Sequence, residues 1–128
     1  MIYLDSSVAL AHLLVEDRVP PASLWQEPLV SSRLIEYELW SRVHAKRLGA
    51  SRGDEVRALL ARVSLIEMAP PVLARALEPF PSSVRTLDAL HLASMEFLRS
   101  NGQTLRLASY DQRLLAAARA MRFAVLSL

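Results

Sequence analysis

The sequence contains no cysteine. That excludes disulfide scaffolds, thiolate-held zinc, iron–sulfur clusters and thiol catalysis, and it fits a reducing compartment. Glycine is scarce, at 3 residues in 128, and proline numbers 7. A collagen-like repeat or a low-complexity linker needs far more of both. No stretch approaches the roughly 18 consecutive apolar residues of a membrane span, so no membrane partner is expected. Met1-Ile2-Tyr3-Leu4-Asp5 carries no basic region ahead of an apolar run. It reads as the mature start of a cytoplasmic protein rather than a secretory signal. Lysine is almost missing as well, since Lys46 is the single Lys among the basic residues and the rest are Arg. The net charge of +2 is too mild to indicate nucleic acid by itself. Arg suits bidentate phosphate contacts, although a GC-rich genome produces the same bias.

What is present is apolar: 52% of the chain is hydrophobic, enough for one sizeable core in one domain, residues 1–128. Short strand-like runs alternate with helix-like runs. Strands are expected at Ile2–Leu4, Leu29–Ser31, Ser64–Met68 and Leu105–Ala108, with a fifth at Ala124–Leu126. Helices are expected at Ser6–Val15, from Pro20-Pro21 through Trp25, at Arg33–Leu48 closed by a left-handed Gly49, and from Ser51 with Asp54 and Glu55 in its first turn. Others run from Pro70-Pro71 to Pro79 or Pro81, over Thr86–Ser100 with Thr86 as cap, and over Tyr110–Met121. This alternation implies an α/β chain built of βαβ units on a mostly parallel sheet of four or five strands, covered on both faces. In such sheets ligands bind beyond the carboxyl ends of the strands.

Acids stand at those ends. Asp5 follows the first strand, Asp111 follows the fourth, and Asp88 lies in the first turn of the Thr86 helix. Each is also a good helix cap or first-turn residue. Glu38 is harder to explain as surface, because it falls on the apolar arc of Leu34, Ile35, Leu39 and Val43, where an unpaired carboxylate costs several kcal/mol. Arg42, one turn on, is its ordinary partner. Glu36 is its rival on the flank, and wheel geometry alone does not separate the two. If Asp5, Glu38, Asp88 and Asp111 converge, one pair about 5 Å apart repels by roughly 3 kcal/mol at an effective dielectric of about 20. Such a cluster must take up protons or hold a cation. Oxygen donors without Cys favour Mg²⁺ or Mn²⁺ over zinc, which points to phosphodiester or phosphoryl chemistry with metal-activated water.

Four segments carry a family resemblance. Ile2-Tyr3-Leu4-Asp5-Ser6-Ser7 resembles the opening of PIN (PilT N-terminus) domains. Ser31-Ser32-Arg33-Leu34-Ile35-Glu36-Tyr37-Glu38-Leu39 resembles their second motif, in the register that selects Glu38. Arg85-Thr86-Leu87-Asp88-Ala89-Leu90-His91-Leu92-Ala93 resembles the third motif of VapC-type toxins, and Ala108-Ser109-Tyr110-Asp111-Gln112-Arg113-Leu114 the fourth. The resemblance implies a PIN-like α/β/α sandwich and a Mg²⁺- or Mn²⁺-dependent endoribonuclease that cleaves cellular RNA. It also implies a cognate VapB-like antitoxin and a homodimer. It makes Asp5 and Asp88 direct metal ligands, with Glu38 and Asp111 completing the site as ligands of a second ion or holders of metal-bound water. Ser109 stands where Thr is more usual, and the bulk of Trp40 is expected to bear on a partner-facing surface.

Other residues have two readings each. Ser7 and Ser109 either hydrogen-bond the carboxylates or simply cap helices. His91, three residues after Asp88, is either a ligand or general base or, as preferred here, a packed His beside the site. His12 and His44 are read as structural or surface residues. Arg33, Arg42, Lys46, Arg47 and Arg113 either guide an RNA backbone or form solvated faces. Leu24, Trp25 and Trp40 either mark an antitoxin groove or dimer surface or, as preferred, belong to the core. A phosphoacceptor receiver domain lacks support, because Asp5 is followed by Ser6-Ser7 and the only Lys is in mid-chain. A haloacid-dehalogenase-type phosphatase wants an Asp-x-Asp pair that is absent here. The remaining alternative is a non-catalytic PIN-fold module that binds RNA or protein; a missing acid would favour it, and none is missing.

Overall fold

The computed structural model describes residues 1–128. Its first strand is its central one. β1 (Ile2–Leu4) is completely buried, because successive side chains on a strand point to opposite faces and both faces are covered. Ile2 and Leu4 enter one core with Val8, Ile35, Leu39 and Val56, whereas Tyr3 enters a second with Leu92, Met95, Leu107 and Leu114.

β2 (Leu29–Ser32) and β4 (Arg106–Ala108) flank β1, β3 (Val63–Ile66) lies outside β2, and β5 (Ala124–Val125) lies outside β4. The order is β3-β2-β1-β4-β5 and every pair is parallel, with Ile2 opposite both Leu29 and Arg106. α1 (Ser6–Leu13), α2 (Leu34–Ala45) and α3 (Gly49–Leu60) cover the first core. α5 (Thr86–Ser100) and α6 (Gln112–Ala120) cover the second, and α4 (Pro70–Ala76) packs on α5. The result is the expected α/β/α sandwich, with all five strands parallel. The chain adds β2 and β3 on one side of β1, then returns to place β4 and β5 on the other. The reversal opens a crevice at the carboxyl ends of β1 and β4, the switch point where ligands bind in open α/β sheets.

Several local expectations need correction. Gly49 does not close α2; Arg47 does, with φ of +56°. The Leu48 N–H bonds to the Val43 carbonyl at 2.9 Å, the Schellman closure of a helix end. Gly49 instead begins α3, and it is small because a Cβ there would lie 2.9 Å from His44 Nδ1. With α3 starting two residues before Ser51, Asp54 and Glu55 fall beyond its first turn and pair with Arg57 and Arg52 on the surface. Thr86 is the first residue of α5 rather than its cap; Arg85 holds the cap position in extended backbone. α4 ends at Ala76, ahead of Pro79, and α6 begins at Gln112. The segment after Pro21 is a 3₁₀ turn, Ala22–Gln26.

The bulky side chains resolve to packing. Leu24 is buried, and Trp25 and Trp40 lie against the first core. Trp40 stacks on His44 and comes within 3.4 Å of a Cβ built at Gly53. It therefore fills the α2–α3 contact while staying partly exposed. His12 packs on Trp25 with ring centroids 4.7 Å apart.

Candidate active site

Asp5 leaves β1 in extended backbone and caps α1, accepting from the Ser7 N–H at 3.4 Å. The same oxygen, Oδ2, accepts the Ser7 hydroxyl at 2.5 Å and the Ser109 hydroxyl at 2.8 Å. All three bonds fall on Oδ2, so Oδ1 stays available. Asp111 leaves the β4 end and caps α6, with Oδ1 accepting from the N–H groups of Arg113 and Leu114. For both acids the capping role and the pocket role coexist, since the two oxygens divide the tasks.

Ser7 and Ser109 do more than cap. The Ser7 hydroxyl accepts the Tyr110 N–H at 2.9 Å, and the Ser109 hydroxyl accepts the Asp111 N–H at 2.9 Å. Each serine thus ties the start of α1 to the loop after β4 while donating to Asp5. This is the arrangement of groups that orient a ligating carboxylate.

Glu38 sits in α2 beside the fully buried Ile35 and Leu39. Its Oε1 accepts from His91 Nε2 at 2.6 Å, and its Oε2 accepts more weakly from the Ser6 hydroxyl at 3.4 Å. Arg42, the partner suggested by helical spacing, makes no ion pair with it; it lines a neighbouring pocket with Ser6 and Ser7. Glu36 turns away to bind Arg33, which also holds Glu67 at 2.6 Å. Two acids two residues apart on one helix therefore have separate partners, one on the surface and one in the pocket.

Asp88 sits in the first turn of α5. Burial lifts its carboxyl above the ordinary Asp value, repulsion by Asp111 adds to this, and the Arg85 guanidinium opposes it. Asp5, Glu38, Asp88 and Asp111 line one pocket of about 440 Å³, together with Ser6, Ser7, Arg85, Thr86 and Leu87. All four acids singled out in the sequence are brought together.

Two residues acquire partners that spacing did not reveal. His91 is almost wholly buried, as preferred, but it is not merely packed: it bridges the Tyr3 hydroxyl at 2.7 Å to Glu38. Burial alone would lower its pKa, yet the bond and charge of Glu38, with Asp5 and Asp88 behind, raise it. Arg85, present in the third motif but given no role there, is the other. Its Nε lies 3.3 Å from Asp88 Oδ2 and its Nη2 2.9 Å from Asp111 Oδ2. Its place at i−3 from Asp88, one step before a helix, is the signal that was available.

The donor set suits a hard divalent cation: carboxylate oxygens only, in a pocket whose charge already disfavours ionised Asp88. In the present conformation no three His, Asp or Glu side chains are drawn close enough to hold an ion, and the Arg85 guanidinium lies between two of the acids.

The crevice lies at the switch point of an all-parallel sheet and is walled by four acids on four separate elements. The chain belongs to the PIN-domain family, whose profile matches residues 2–120. It is 36% identical over 131 residues to Ribonuclease VapC46 of Mycobacterium tuberculosis (strain ATCC 25618 / H37Rv), covering 98% of this chain and 96% of the relative. It is 28% identical over 134 residues to Ribonuclease VapC47 of Mycobacterium tuberculosis (strain CDC 1551 / Oshkosh), covering 99% and 96%. Ribonuclease VapC35 of the same organism is 28% identical over 132 residues.

Proposed function

We propose that this chain is a Mg²⁺- or Mn²⁺-dependent endoribonuclease, the toxin of a toxin–antitoxin pair, that hydrolyses phosphodiester bonds of cellular RNA. The observation that carries the reading is the single pocket lined by Asp5, Glu38, Asp88 and Asp111. The relatives' names, each a ribonuclease, support the substrate class. A bound divalent ion supplies a water of lowered pKa and draws charge from the phosphate. Asp5 and Asp88 would hold the ion directly, with Asp5 Oδ1 left unbonded by the protein, and Glu38 and Asp111 would complete the set. Ser7 and Ser109 fix the Asp5 carboxylate, and His91 fixes Glu38. The non-catalytic alternative gains nothing from this pocket, since every acid lines it.

The partner that follows from the same reading is a VapB-like antitoxin covering the pocket mouth, where Leu87 is 41% exposed. The chain acts as a homodimer in the cytoplasm. No helix is long and apolar enough to cross a membrane. The test is cleavage of purified RNA by the purified chain. EDTA stops it, Mn²⁺ restores it, and Asp5→Asn abolishes both cleavage and growth arrest on expression while the fold persists. Cutting that continues in EDTA overturns the metal-dependent reading.

A further inference from the structure

Arg85 is the one cation in the wall of the acidic pocket. It occupies the cap position of α5 in extended backbone, and no side-chain bond caps that helix. Its guanidinium uses two nitrogens on two acids from different elements, Asp88 of α5 and Asp111 at the head of α6. The contacts fall on Asp88 Oδ2 and on Asp111 Oδ2, the oxygen of Asp111 that its helix cap leaves over for other partners. Two cations cannot share these oxygens at contact distance without strong mutual repulsion.

Resting on the nuclease reading above, we propose that Arg85 is an exchangeable counter-ion that competes with the divalent cation for Asp88 and Asp111, and so sets how tightly the pocket takes its metal. The geometry allows the exchange. The Arg85 side chain is 58% exposed, so turning outward breaks no core packing. It stands in the wall shared with a second pocket, which is lined by Ser82, Ser83 and Arg113. Displaced from the carboxylates, the guanidinium stays beside the site facing another cation's pocket. Until then it neutralises two acids whose charges otherwise disfavour each other. Arg is suited to this role because its fork meets two carboxylates at once while its charge never titrates.

The test is calorimetric titration of Mn²⁺ alone into the full chain and into Arg85→Gln, without RNA. Arg85→Gln is expected to bind Mn²⁺ at least about tenfold more tightly, with Arg85→Lys between the two. Melting curves in EDTA are expected to show Arg85→Gln folded but less stable than the parent, and excess Mn²⁺ to raise its melting temperature by more than it raises the parent's. Equal or weaker Mn²⁺ binding by Arg85→Gln overturns the proposal and leaves the nuclease reading standing. No Mn²⁺ binding by either protein overturns both.

Discussion

The Tyr3 hydroxyl and the His91 imidazole meet at 2.7 Å in the core, and the other ring nitrogen of His91 reaches Glu38 at 2.6 Å. A residue of the central strand is thereby linked to a carboxylate of the pocket through one buried ring. Burial pushes the Tyr3 phenol well above its ordinary value, so its proton stays in place. In the neutral ring the phenol donates to Nδ1 and Nε2–H donates to Glu38, so Tyr3 selects the tautomer that orients the acid.

The His91 shift makes stability depend on pH. Its folded pKa lies above the ordinary 6.5 despite burial, because Glu38, Asp5 and Asp88 favour the charged ring. The imidazolium therefore stabilises the fold fully below the unfolded value of 6.5, and that contribution disappears as pH rises through the higher folded value. In EDTA, His91→Gln is expected to cost about 1–3 kcal/mol at acidic pH and less at alkaline pH. Urea denaturation of both proteins across this range measures it; a cost that does not change with pH removes the titrating pair. Tyr3→Phe keeps Glu38 bonded to the ring and should retain the pH dependence.

Much of the fold was legible because its determinants are local. Ile2-Tyr3-Leu4 carries apolar side chains for both faces, as a strand covered on both sides needs, and acids directly after strands mark the switch point. What was illegible depends on partners remote in sequence. A helical wheel shows the angle of Glu36 and Glu38 but not Arg33, Glu67 or His91, which separate them. Spacing showed His91 near Asp88, yet its partners are Glu38 on α2 and Tyr3 on β1. Arg85 pairs across α5 and α6, a contact that no single element contains. At the end of α2 the rule that glycine takes positive φ pointed to Gly49, but Arg47 adopts that conformation and Gly49 serves a close approach to His44.

Glu36 and Glu38 offer a test of the register of the site within one helix. Glu36 is tied to Arg33 at the surface, on the side away from the pocket, and exposed pairs of this kind contribute little. Glu36→Gln is expected to leave RNA cleavage within about twofold of the parent. Glu38→Gln keeps the shape but removes the negative charge offered to metal and His91, and cleavage should fall by about 100-fold or more. Initial rates at saturating Mn²⁺ decide it. A severe Glu36→Gln together with a mild Glu38→Gln means that the functional acid is the other one.

Asp88 should show stability and activity moving in opposite directions. Its carboxyl is lifted above the ordinary Asp value of 3.8 by burial first and by Asp111 next, against the pull of Arg85. A raised folded pKa means that the fold favours the protonated acid, so the stabilising contribution belongs to pH below 3.8 and is lost as pH rises through the folded value. At neutral pH the ionised Asp88 therefore strains the metal-free fold, and Asp88→Asn should raise the melting temperature in EDTA. Mn²⁺ reverses the ranking: at about 100 times its Kd a ligand stabilises the protein that binds it by about 2.7 kcal/mol. Parent protein should gain that increment and Asp88→Asn should not, while its RNA cleavage is abolished. An acid kept only to support α5 would, when neutralised, lower stability in EDTA and leave the Mn²⁺ increment intact; scanning calorimetry with and without Mn²⁺ separates the two outcomes.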